Sequence, residues 1–75
     1  MVTFELIKNT PDYVVYRLHR EDGTTSDLTV NKHDKSYSFS DTGKPVDHYQ
    51  TATLRSVLKY VDRNKYPQEG VMGWG

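Results

Sequence analysis

The sequence predicts an α+β domain: a four-stranded antiparallel meander with one carboxy-terminal helix packed on one face, followed by a short apolar tail. Three observations lead there. Segments within residues 2–31 alternate apolar and polar side chains with the period of two that a half-buried strand requires. Leu54, Val57, Leu58 and Val61 fall at i, i+3, i+4 and i+7, which is one apolar stripe of a helix. Turn-forming residues stand at the breaks between segments, and the 75 residues show neither an internal repeat nor a second domain.

The first strand is predicted over residues 2–8, with Val2, Phe4 and Leu6 on one side and Thr3, Glu5 and Ile7 on the other. Asn9-Thr10-Pro11-Asp12 ends it, because proline offers no N–H to a ladder and Asn and Asp bond their own backbone. The second strand, 13–20, places Val14, Tyr16 and Leu18 together; the third, 24–31, places Leu28 and Val30 together. A two-residue Asp22-Gly23 turn between them sets Tyr16 opposite Thr29 and mixes the faces. A three-residue loop, Glu21-Asp22-Gly23, pairs Tyr16 with Leu28 and Val14 with Val30 instead, and it requires Gly23 to be left-handed.

After a polar connection, 36–40 alternates as a short fourth strand with Tyr37 and Phe39 inward. The turn at 41–45 leads into a helix over 48–64, with Asp47 as the expected N-cap, its carboxylate accepting from the N–H of Gln50. Arg63 and Lys65 suit the negative end of the helix dipole, and Pro67 forbids continuation. Tyr49 and Tyr60, on one side of the helix with Thr53 and Ser56, are expected to flank the sheet contact. The tail, 66–75, has no periodicity but holds Val71, Met72 and the only tryptophan, Trp74.

Ten Lys plus Arg balance ten Asp plus Glu, so no net field draws the chain to nucleic acid or to an anionic membrane. Near-zero charge also weakens self-repulsion and makes a homodimer easier, the first and fourth strands being its expected open edges. There is no cysteine, no apolar run long enough to span a membrane and no signal-peptide pattern, and the expectation is a cytoplasmic protein.

No catalytic, metal or phosphate-binding motif stands out, so no cofactor is expected and function must come from the remaining surfaces. The leading expectation is a non-catalytic protein-binding or adaptor domain. Its contact residues would be Ile7, Tyr13 and Val15 on the outer sheet face and Val71, Met72 and Trp74 in the tail. The tail then either folds over Ile7, Tyr13 and Val15 or docks a partner, in which case deleting 66–75 spares the fold and abolishes binding.

The alternative is a nucleic-acid-binding module using Arg17 with Arg55, Lys59 and Arg63, the last three being one helical stripe at i, i+4 and i+8. Glu5 and Asp27 on the outer face oppose it, since phosphates repel them. A zinc site from His33 and His48 with Asp34 or Asp47 has no ligand spacing behind it.

Overall fold

The computed structural model describes residues 2–40 and 48–72. Its elements, in chain order, are β1 (Val2–Asn9), β2 (Tyr13–His19), β3 (Thr25–Asn31), β4 (Tyr37–Phe39), α1 (His48–Arg63) and β5 (Glu69–Met72). They make one sheet of order β4-β3-β2-β1-β5 in which every neighbouring pair is antiparallel. The predicted α+β meander is present. The correction is a fifth strand, drawn from the tail.

Period-two reasoning misses β5 because only four residues long, with a glycine inside, it carries no pattern of its own. What recruits it is the edge of β1, whose N–H and C=O groups need partners. The register is Val2↔Met72, Thr3↔Val71, Phe4↔Gly70 and Glu5↔Glu69. Gln68 extends it: its backbone carbonyl accepts from the Leu6 N–H at 2.8 Å, and its side-chain amide donates to the Leu6 carbonyl at 3.1 Å. Through Met72 the tail is therefore an edge element rather than a cover over Ile7, Tyr13 and Val15. Among the described residues the edge strands are β4 and β5, and β1, expected as an edge, is interior.

The β2–β3 hairpin follows the predicted register, Tyr16↔Leu28 and Val14↔Val30. Arg20 and Thr24 close it by the Arg20 N–H to Thr24 carbonyl bond at 2.9 Å. The Gly23 N–H reaches the Arg20 carbonyl at 3.1 Å, and Gly23 has φ +87°. The side chains of Val14, Tyr16, Leu18, Leu28 and Val30 are wholly buried. In β1 the register slips between Leu6 and Lys8, leaving Ile7 at the irregularity with its side chain exposed.

α1 lies on the face formed by these side chains, against β2 and β3. Its most buried residues are Gln50, Thr53 and Val57, while Leu54, Leu58, Tyr60 and Val61 pack on the core from either side. The predicted stripe is thus rotated toward the smaller residues. A helix backbone meets a sheet most closely along one line, and that line takes Thr and Val where Leu would hold the layers apart. The buried polar groups are satisfied. The Thr53 hydroxyl donates to the Tyr49 carbonyl at 2.8 Å, and the Gln50 amide meets the Ser26 hydroxyl at 3.4 Å.

At its carboxy end the Lys65 N–H bonds the Tyr60 carbonyl, the Asn64 N–H bonds the Val61 carbonyl, and Asn64 has φ +53°. This is a Schellman cap with asparagine in the glycine position. The expected cap at the other end, Asp47, and the turn at 41–45 lie outside the described residues.

Tyr37 corrects a second expectation. It pairs with Val30 and shares its face, yet it is 54% exposed. A helix about 10 Å wide covers roughly two strands spaced about 4.8 Å apart, and α1 sits over β2 and β3. Phe39, paired with Leu28, still packs on the core.

Candidate functional site

Because α1 covers one side of the sheet, the other side of β1, β2 and β3 has no covering layer among the described residues. The alternation that buries Val14, Tyr16 and Leu18 sends Tyr13, Val15, Arg17 and His19 to this open face. Two regions divide it.

The charged region is a row in direct cross-strand register, Glu69↔Glu5↔Arg17↔Asp27. Arg17 donates to Asp27 through two nitrogens, Nε to Oδ1 at 2.8 Å and Nη2 to Oδ2 at 3.2 Å. The bonded carboxylate raises the Arg17 pKa further above its already high value. His19 Nε2 lies 2.7 Å from Glu5 Oε1. Glu69 has no ion pair among the described residues, and it stands opposite Glu5, a like-charge pair across strands. Thr3, Phe4, Glu5, His19, Glu69 and Gly70 line a shallow hollow of about 470 Å³ here. The ring of Phe4 lies over Gly70, where a Cβ would come within 3.0 Å of ring carbons Cζ, Cε1 and Cε2.

The second region is apolar. The slip in β1 sets Ile7 beside Lys8, which pairs with Val15, and Tyr13 follows two residues before Val15 on β2. Lys8 Nζ lies 5.4 Å from the centre of the Tyr13 ring, and the nearness of that phenol raises the Lys8 pKa.

The structure brings together only part of the expected contact set. Tyr13 and Val15 share the open face of β2, and Ile7 lies at the β1 irregularity next to Lys8, which pairs with Val15. Val71 and Met72 enter β5 beside Thr3 and Val2, four or more residues along β1 from Ile7 and so at least ~13 Å away. Trp74 lies outside the described residues.

The expected nucleic-acid set divides as well. Arg17 is on the open face and bonded to Asp27, whereas Arg55, Lys59 and Arg63 are exposed on α1, on the opposite side of the sheet. His33 and His48 do not meet. Lys35, in the turn that holds His33, pairs with Asp62 near the end of α1, while His48 is its first residue, about 20 Å away along the helix axis. Among the described residues no three His, Cys, Asp or Glu side chains converge as metal ligands. No helix among them is long and apolar enough to cross a membrane.

One polar group within the core escaped sequence reasoning. Tyr16, wholly buried between the sheet and α1, donates its hydroxyl to the Pro67 carbonyl at 2.7 Å. Burial pushes its phenol well above the usual tyrosine range, and Tyr60 and Tyr66 push it further. This bond ties the segment leading into β5 to the centre of the core. Tyr66 itself packs on the core beneath Lys32, whose Nζ lies 4.3 Å from the ring centre.

Comparison with protein-family models, curated proteins and solved structures finds no match to this chain.

Proposed function

We propose that this chain is a small non-catalytic protein-binding domain, an adaptor whose contact surface is the open face of the sheet. The observation that carries the reading is the sidedness of the sheet. One face carries α1 over β2 and β3, and the other carries Tyr13 and Val15, with Ile7 at the β1 irregularity, beside the Arg17–Asp27 and Glu5–His19 pairs. An apolar centre with a polar border is the make-up of a protein interface. Arg17 and Asp27 already neutralise one another, so a partner that covers them does not leave either charge unpaired.

A non-catalytic role fits this face. Its imidazole and carboxylates are partly open to water and bonded to each other, and its hollows are shallow, without the enclosure that tunes a catalytic pair. A cysteine-free chain suits a cytoplasmic setting.

The test is capture from nuclease-treated lysate with the wild-type chain beside an Ile7→Lys, Val15→Thr variant whose circular dichroism matches it. A protein retained by the wild type and lost by the variant supports the open face as the contact. Equal retention by both removes the face from the mechanism. Sedimentation of the purified chain tests whether the partner is a second copy.

A further inference from the structure

Lysine and arginine are used in two different ways in this fold. Away from α1 and its cap, each one described is engaged: Lys8 over Tyr13, Arg17 on Asp27, Arg20 with Thr24, Lys32 on Asn9 and over Tyr66, and Lys35 on Asp62. Arg55, Lys59, Arg63 and Lys65 are all exposed, and among the described residues none has a side-chain hydrogen bond or ion pair. The single carboxylate of α1, Asp62, is taken by Lys35. The chain is neutral as a whole, yet among the described residues no carboxylate pairs with this ridge.

We infer that the ridge of Arg55, Lys59, Arg63 and Lys65 binds the phosphate backbone of double-stranded nucleic acid, independently of base sequence. Arg55, Lys59 and Arg63 follow one line of the helix in steps of about 6 Å and span about 12 Å, a row of cations matched to a linear polyanion of dense, regular charge. Two of the three are arginines, whose planar fork bonds phosphate oxygens in pairs.

The ridge favours a duplex over a single strand because its own helix carries no exposed tyrosine, the exposed Tyr37 standing on β4. Single-strand binders stack bases on exposed aromatic rings, and the tyrosines of α1, Tyr49 and Tyr60, are half-buried, Tyr60 against Phe4 and Tyr16. A membrane surface is a poorer fit because the apolar side of α1 is already spent on the sheet and has nothing to insert. The ridge lies on the far side of the sheet from Ile7, Tyr13 and Val15, so both surfaces are open to partners at once. The inference stands apart from the protein-binding reading and can fail without it.

The test is fluorescence anisotropy of a labelled mixed-sequence DNA duplex of about 20 base pairs, titrated with the full chain between about 20 and 200 mM salt. With three to four phosphates engaged, log K falls against log salt with a slope of about −2.7 to −3.6, a loss of about 40- to 150-fold between 50 and 200 mM. The triple variant Arg55→Gln, Lys59→Gln, Arg63→Gln, shown folded by circular dichroism, is expected to lose binding, and Arg17→Gln to keep it. Absence of binding at the lowest salt, or retention by the triple variant, overturns the inference. So does binding as tight to single-stranded DNA, to poly-glutamate or to vesicles containing anionic lipid.

Discussion

Replacing Gly70 with alanine tests the least expected contact in the fold. Glycine inside a strand is ordinarily a weakness, and alanine at a compatible strand site stabilises by about 0.4–1 kcal/mol. At Gly70 the sign reverses. The added methyl comes within 3.0 Å of three carbons of the Phe4 ring, and no van der Waals contact is that short. Phe4 cannot easily yield, because it is 3% exposed and its ring meets Tyr16 edge-on at 5.7 Å and Tyr60 at 6.3 Å. Either the ring moves into that cluster or β5 moves off β1, and overpacking of this kind costs about 1–3 kcal/mol.

A domain of 75 residues has about 4–11 kcal/mol in total, so the substitution removes a sizeable fraction. Each kcal/mol lowers Tm by about 4–8 °C at this size. Urea unfolding of wild type, Gly70→Ala, Phe4→Leu and the double variant measures the effect and its origin. Phe4→Leu, which removes the ring, is expected to shrink the Gly70→Ala penalty by about 0.5 kcal/mol or more, the coupling of residues in contact. A Gly70→Ala chain as stable as wild type, or a penalty unchanged by Phe4→Leu, refutes the reasoning.

Three further outcomes follow from the same geometry. Ending the chain at Lys65 uncovers Phe4, about 1.5–3 kcal/mol, and strips the Tyr16 hydroxyl of its acceptor, about 1–3 kcal/mol, so thermal melting should show a marginal or unfolded chain. Tyr16→Phe should cost about 1 kcal/mol at neutral pH for the bond to the Pro67 carbonyl. It should also flatten alkaline unfolding. The folded Tyr16 keeps its proton above the ordinary tyrosine pKa of 10.0, where the unfolded chain loses it, so wild-type stability is complete below that pH and falls above it. The fall is by up to about 1.4 kcal/mol per pH unit, and urea midpoints measured across that range in both chains read the difference. Asn64→Ala should cost about 0.5–1 kcal/mol in the same assay because alanine resists the φ of +53° there, whereas Asn64→Gly should match wild type or exceed it.

What the sequence determined by itself is local or nearly so. Alternation in residues 13–31 decided which side chains of β2 and β3 face inward, and the need to keep both apolar faces together decided the Glu21-Asp22-Gly23 loop. Tyr13 and Val15 were readable as outward-facing from the same period of two, whereas the slip at Ile7 was not. The tertiary structure decided the rest. The segment Glu69–Met72 becomes a strand because β1 offers it unpaired backbone, a property of the neighbour and invisible in its own residues. Gly70 acquires its meaning from the Phe4 ring, 66 positions away in the chain. The exact buried line of α1, through Gln50, Thr53 and Val57, depends on how closely two layers approach, whereas periodicity ranks side chains only by their greasiness. Arg17 and the α1 cations look alike as letters, but their separation onto opposite sides of the sheet is a consequence of layering, and layering is set by the whole fold at once.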